Sequence, residues 1–258
     1  MTTPMKPAQP TQPTQPTQPT QGTVPAARTR LLHLDSSAHR SDESVSRRLT
    51  ALFARDWRAL HGADGYRYHD LAAAPVPPLG TAYCALGRRQ EREGLTALSG
   101  VAARVRGPEE EREWALTHPL ITELLEADTV LIGAPMYNFS VSALLKAWID
   151  RVGFPGVFTD PATGDSLLRR TRLVVVSARG GAYGPGTPRE AWDFQTPWLR
   201  AYFGGLGVPE ENMSFVAAEM TLAGFAPHLA AYRGLADESL AAAEAEVVAL
   251  AEARGQVV

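Results

Sequence analysis

Val130-Leu131-Ile132-Gly133 and Leu173-Val174-Val175-Val176 are short apolar runs with no polar alternation. A strand wetted on one face alternates polar and apolar residues, so these runs predict strands covered by helices on both faces, as in parallel sheets. Each is followed by a helical pattern: residues 142–152 after the first, and residues 195–206, ended by Gly204, Gly205 and Gly207, after the second.

The same rhythm extends to both ends. Residues 31–34 read as a first strand, and Val45, Leu49, Leu52, Phe53, Trp57 and Leu60 follow at helical spacing until Gly62. Residues 66–69 make a weaker strand, ended by Pro75-Val76-Pro77-Pro78. Residues 79–108 have no clear period and read as a long excursion, helical in part. A helix over 109–126 is predicted with Trp114, Leu116, Leu120, Ile121, Leu124 and Leu125 on its apolar side. Residues 214–217 form a fifth strand and 236–253 a closing helix. Five βα units with buried strands predict an α/β fold built on a doubly wound parallel sheet. Period alone leaves the strand order open.

The chain has 258 residues, 45% of them hydrophobic and 21% charged, with a net charge of −3. That size buries a full core without disulfides or metal. The near-neutral balance argues against nucleic acid as a partner, because duplex binding needs a basic surface. One cysteine, Cys84, excludes an intrachain disulfide and a multi-cysteine zinc site, and the six histidines are scattered without ligand spacing. His33 lies within a strand and reads as a hydrogen-bonded core residue; His228 lies near the last strand's end, within reach of a site there. No run reaches the ~18 apolar residues of a membrane span. The expectation is a cytoplasmic protein with no metal, membrane or nucleic acid. Residues 1–28, with Thr-Gln-Pro repeated from Thr11, read as a solvated tail, leaving residues 29–258 as the folded domain.

Ligands of doubly wound sheets bind beyond the carboxyl ends of the strands. The loop after strand one, Asp35-Ser36-Ser37-Ala38-His39-Arg40-Ser41-Asp42-Glu43-Ser44-Val45-Ser46, has no G-x-G-x-x-G. Its serines before a helix suit a phosphate monoester, with Ser37, Ser44 and Ser46 as candidates. The plainer alternative is helix capping by Ser41 or Asp42. After strand three, Met136-Tyr137-Asn138-Phe139 carries two large aromatics and an amide into a loop. Either they line a flat, polar-edged ligand or they close the sheet end. After strand four, Ala178-Arg179-Gly180-Gly181 offers backbone N–H groups at close approach, or simply a turn.

The stretch Ala134-Pro-Met-Tyr-Asn-Phe-Ser-Val-Ser-Ala-Leu-Leu-Lys-Ala-Trp-Ile-Asp-Arg-Val152 resembles the hallmark segment of the FMN-dependent NADH azoreductases, which are also NADH:quinone oxidoreductases. Val175-Val-Ser-Ala-Arg-Gly-Gly181 resembles that family's second flavin loop, and Leu34-Asp-Ser-Ser37 with Ser44-x-Ser46 its phosphate loop. The resemblance implies a flavodoxin-like fold with strand order 2-1-3-4-5 and a homodimer. It implies that Ser37, Ser44, Val45 and Ser46 hold the FMN phosphate side. Met136, Tyr137, Asn138 and Phe139 would line the isoalloxazine, and Ala178, Arg179, Gly180 and Gly181 its pyrimidine edge. NADH would be the co-substrate and a quinone or azo compound the acceptor, in ping-pong order.

With the flavin carrying the chemistry, no side-chain acid or base is required, and Asn138, Gly180 and Gly181 would stabilise charge on the ring. Two other classes compete. A flavin electron carrier or sensor would be more acidic, with a phosphate loop built around threonine and glycine. A hydrolase would need a nucleophile elbow or metal ligands, and the chain has no G-x-S-x-G.

Overall fold

The computed structural model describes residues 29–40 and 42–253. The tail read from residues 1–28, and Ser41, lie outside the described residues. Strands β1 (Leu31–Asp35), β2 (Tyr66–Asp70), β3 (Thr129–Pro135), β4 (Arg172–Ala178) and β5 (Met213–Ala218) form one sheet in the order β2-β1-β3-β4-β5, every pair parallel. The helices are α1 (Val45–His61), α2 (Thr81–Arg92), α3 (Leu98–Val101), α4 (Gly107–Glu126), α5 (Ala143–Val152), α6 (Thr196–Gly205) and α7 (Arg233–Glu252). This is the doubly wound, flavodoxin-like sheet expected from the sequence.

The apolar runs hide a true alternation. Leu31, Leu131, Val174 and Val176 pack under α1 and α7, against Leu49, Phe53, Trp57, Ala243 and Val247. Leu32, Leu34, Val130, Ile132, Leu173 and Val175 pack on the opposite face, with Trp114, Ile121, Trp148, Ile149 and Phe203. Both faces are covered, so neither side of a strand needs polar residues. β2 is the exception. It is one of the two edge strands, Arg67 and Tyr68 are exposed, and its sequence signal is correspondingly weak.

Two sequence expectations are corrected, the place of Leu116 on α4 and the N-cap of α1. Leu116 is 47% exposed and does not belong to the inner side of α4, where Glu110 and Thr117 are buried instead. Residues 79–108, expected to be helical in part, hold α2, whose buried stripe is Tyr83, Leu86, Gly87 and Gln90. Its spacing is helical, but a glycine and a glutamine occupy two of the four positions, so no apolar period is visible. The helix N-cap after β1 is Ser44, not Ser41 or Asp42.

Buried Arg151 ties the proline segment into this layer. Its guanidinium donates to the carbonyl oxygens of Pro77 (3.0 Å) and Pro78 (3.1 Å) and to Glu113 Oε2 (2.7 Å). Among the described residues, no helix is long and apolar enough to cross a membrane.

Candidate functional site

The loops after β1, β3 and β4 meet at the carboxyl end of the sheet. The first is built by a cap. Ser44 takes extended backbone and its Oγ accepts from the Arg47 N–H (3.4 Å) and pairs with Ser46 Oγ (3.2 Å). The Val45 and Ser46 N–H groups, at the start of α1, have no acceptor among the described residues. Orphan donors at a helix N-terminus attract an anion. Ser37, Ser44 and Ser46 are all buried here, whereas Asp42 and Glu43 are exposed to solvent.

A buried ionic network lies under this loop. Arg47, 5% exposed, donates from Nη2 to the Ser37 carbonyl (2.8 Å) and to Asp70 Oδ1 (2.6 Å), and from Nη1 to Asp70 Oδ2 (2.9 Å). Tyr68 Oη donates to Asp35 Oδ2 (3.1 Å), and Thr50 Oγ1 to Asp35 Oδ1 (2.9 Å). The hydrogen bond from Arg47 holds the Asp70 carboxyl below the usual carboxylate range. Burial and the Asp35 carboxylate push the Tyr68 phenol up. His33 is buried, with Nδ1 2.9 Å from Tyr66 Oη, as a core histidine should be. Gly133, beside Asp35 in the register, has no room for a side chain: a Cβ there would stand 2.3 Å from Asp35 Oδ1.

The loop after β3 is a hairpin in miniature. Tyr137 and Ser140 exchange backbone hydrogen bonds of 3.0 and 3.1 Å, and Asn138 (φ 48°) and Phe139 (φ 71°) occupy the two central positions. Consecutive left-handed residues suit a two-residue turn, but phenylalanine is strained there, and such strain concentrates at functional sites. The Phe139 ring packs edge-on against Trp192 (centroids 5.4 Å apart) and Tyr183 (6.2 Å). Tyr137 turns back to the first loop, where its hydroxyl accepts from the Ala38 N–H. Beside this hairpin opens a cleft of about 650 Å3, lined by Tyr137, Asn138, Val141, Lys146, Phe194 and Trp198 among others.

In the loop after β4, the Gly180 and Gly181 N–H groups have no acceptor among the described residues. Arg179 behaves differently. Its guanidinium is buried and turned to Thr196 Oγ1 (2.6 Å), Asp193 Oδ2 (3.0 Å) and Glu219 Oε1 (3.3 Å), and its own backbone N–H is bonded to Ala218. These contacts brace the loop, while Arg179 Nε is buried without a hydrogen-bond partner among the described residues.

The three loops therefore bring Ser37, Ser44, Val45, Ser46, Met136, Tyr137, Asn138, Phe139, Ala178, Gly180 and Gly181 to one end of the sheet. His228 lies on the exposed face of the turn Pro227–Tyr232 and joins none of this. Sequence reading missed Gln195, fully buried, whose Nε2 donates to the Ala134 (3.0 Å) and Pro135 (3.3 Å) carbonyls and fixes the end of β3. It also missed Arg47 and Glu219. A lone polar residue outside a motif carries no sequence signal of burial. Among the described residues, no cluster of three or more His, Cys, Asp or Glu side chains could hold a metal ion.

Comparison with known proteins places this geometry. A family model described as flavodoxin-like fold matches residues 29–240. The FMN-dependent NADH:quinone oxidoreductase of Nocardia farcinica (strain IFM 10152) is 44% identical over 211 residues, covering 82% of this chain and 92% of its own. FMN-dependent NADH:quinone oxidoreductase 2 of Xanthomonas axonopodis pv. citri (strain 306) is 45% identical over 204 residues, covering 78% and 88%. Among solved structures, an FMN-dependent NADH-azoreductase from Bacillus anthracis str. Ames Ancestor, in complex with FMN, superposes with a TM-score of 0.66. It is 19% identical, with 87% of this chain and 100% of that one covered, a likeness of fold.

Proposed function

The chain belongs to the flavodoxin-like family that contains the FMN-dependent NADH:quinone oxidoreductases, and on that premise we propose that it reduces quinones and cleaves aromatic azo compounds with electrons from NADH. The observation that carries the reading is the convergence of two sets of unengaged N–H groups, Val45 with Ser46 and Gly180 with Gly181, on either side of the strained Tyr137–Ser140 hairpin.

These residues fit FMN. The orphan N–H groups and serine hydroxyls at the start of α1 suit a phosphate, with the helix dipole adding partial positive charge. Asn138, Phe139 and Met136 lie where a flat ring would be bordered, and the glycine N–H groups are donors for its polar edge. FMN held there would supply the two-electron redox chemistry between NADH and the acceptor. The chain's part is position and field. Gly180, Gly181 and Asn138 donate where negative charge develops, and fixed dipoles need no reorganisation to do so. Arg179 acts one step back, through Asp193 and Glu219, by holding the glycine loop in place. The 650 Å3 cleft beside Tyr137 has room for a nicotinamide or a quinone, which use it in turn. No side-chain acid or base is assigned.

We place the enzyme in the cytoplasm as a homodimer, with residues 29–258 as the working unit. Support for the dimer comes from Trp192, packed against Phe139, and Phe194, in the cleft lining, which are 50% and 58% exposed and leave the opening apolar. Light scattering should return twice the chain mass; a monomer mass at micromolar concentration removes the dimer.

The decisive experiment is an anaerobic titration of FMN-loaded protein with NADH, followed by flavin absorbance. Bleaching that reverses on adding benzoquinone is expected. A yellow protein that NADH leaves unbleached would overturn the reductase reading, and failure to take up FMN would overturn the site.

A further inference from the structure

Residues 183–194 run from the glycine loop to the rim of the cleft, where the Phe194 N–H donates to the Phe139 carbonyl (3.1 Å). Short turns fix their course. Thr187 Oγ1 donates to the Gly184 carbonyl (2.8 Å), the Gly186 N–H to Glu190 Oε2 (2.7 Å), and the Trp192 N–H to the Arg189 carbonyl (2.9 Å). The exposed Arg189 side chain lies along this segment. Its guanidinium carbon stands 6.0 Å from the ring centroids of both Tyr183 and Trp192, the two rings that pack on Phe139. A Cβ added at Gly181 would stand 3.0 Å from Arg189 Nη1, so the cation lies against the glycine whose N–H has no acceptor among the described residues.

This guanidinium has no counterion in the protein. Among the described residues, no carboxylate lies within ion-pair distance of Arg189 and no acceptor takes its side-chain N–H groups. The acids on this segment or bonded to it are engaged elsewhere. Asp193 and Glu219 hold Arg179 (3.0 and 3.3 Å), Glu219 also accepts the Tyr183 N–H (2.8 Å), and Glu190 accepts that of Gly186. With three acids against two arginines, the surroundings are not basic as a whole. What Arg189 offers is a fork of free, directed donors, which act at hydrogen-bond range rather than through a long-range field.

We propose that Arg189 binds the pyrophosphate of NADH and so anchors the dinucleotide while its nicotinamide enters the cleft. The proposal rests on the reading that NADH reduces FMN held by these loops. NADH brings a charged pyrophosphate to every turnover, whereas a quinone such as benzoquinone carries no charge, so a free cation at the opening serves the electron donor. The planar guanidinium matches two phosphate oxygens at once. Held by two rings on a braced segment, it loses little freedom on binding. Arg189 is a binding residue, with no part in hydride transfer.

The test compares the FMN-loaded parent and Arg189→Gln proteins by anaerobic stopped-flow reduction. The NADH concentration that gives half the limiting bleaching rate should rise roughly tenfold or more in the variant, with the limiting rate unchanged. With 1-benzyl-1,4-dihydronicotinamide, a hydride donor that has no phosphate, the two proteins should bleach alike. Calorimetric titration of the oxidised proteins with ADP-ribose gives a readout without turnover. The parent should bind it, Arg189→Gln roughly tenfold or more weakly, and Arg189→Lys in between. Arg112→Gln, which removes an exposed charge from α4, should match the parent throughout. Equal NADH dependence in parent and Arg189→Gln, equal ADP-ribose affinity, or an equal loss with the benzyl donor would each overturn the role of Arg189 and leave the reductase reading in place. A parent protein that neither donor bleaches would overturn that reading, and this one with it.

Discussion

The Tyr137 hydroxyl accepts the Ala38 N–H at 3.1 Å and lies 3.5 Å from Ser37 Oγ, so the hairpin after β3 is tied directly to the serine loop after β1. One side chain thereby sets the spacing between the ring end and the phosphate end of the proposed cofactor site. Tyr137→Phe removes this link, an interaction of about 1 kcal/mol. FMN should dissociate roughly five- to tenfold more readily, about 1 kcal/mol, while turnover per bound flavin stays unchanged. Fluorescence titration with FMN checks this. Tighter FMN binding in the variant would mean instead that the tyrosine competes with the phosphate for the Ala38 N–H.

Asn138 combines a left-handed backbone with a side-chain amide that has no hydrogen-bond partner among the described residues, and two substitutions separate the contributions. Asn138→Gly keeps the backbone and loses the amide; Asn138→Ala loses both, with a further cost of about 1 kcal/mol for the left-handed residue. Both should weaken FMN retention, but only the alanine variant should also lower the thermal midpoint. Full FMN retention in Asn138→Gly would remove the amide from the site.

Arg47 is a positioning residue: it reaches the Ser37 carbonyl from beneath and touches nothing on the ligand side. Arg47→Gln leaves Asp70 and Asp35 without their cation and should cost about 3 kcal/mol in urea denaturation. It should also raise the FMN dissociation constant, and Arg47→Lys should restore stability in part but not the bidentate geometry. Unchanged FMN affinity in a folded Arg47→Gln protein would confine the residue to stability.

Acid sensitivity follows from two carboxylates. Hydrogen bonds from Arg47 to Asp70 and from Arg89 to Glu110 hold both acids below their usual range. Each binds fewer protons in the folded chain than in the unfolded one. Their stabilisation is therefore complete above a pH of about 4 and lost as the pH falls through the lowered folded values. The stability difference between the parent protein and Asp70→Asn should be constant from pH 7 to 5 and shrink below about pH 4. Denaturation curves across that range check it; a difference that persists undiminished at pH 2 contradicts it.

Deletion of residues 1–28 should leave FMN loading and NADH–benzoquinone turnover unchanged, since the family match begins at residue 29 and all three loops lie after it. Loss of either property on deletion would give the Thr-Gln-Pro segment a part in the working unit.

The apolar runs of β3 and β4 determined the sheet class by themselves, because a strand buried on both faces has no polar alternation to offer. The loops after β1, β3 and β4 were located by that same reading, because ligands of doubly wound sheets bind beyond the carboxyl ends of the strands, but serines, aromatics and paired glycines there also fit capping, packing and turns. Only the tertiary structure decided which neighbours those residues have. The Arg179 guanidinium, for example, pairs with Asp193 and Glu219, contacts that its Gly-Gly motif does not announce. Arg47, Gln195 and the Gly87–Gln90 side of α2 are buried polar or small residues whose partners come from other elements. Periodicity records how often a position meets water, but a polar residue buried by distant partners looks in the sequence like one facing solvent.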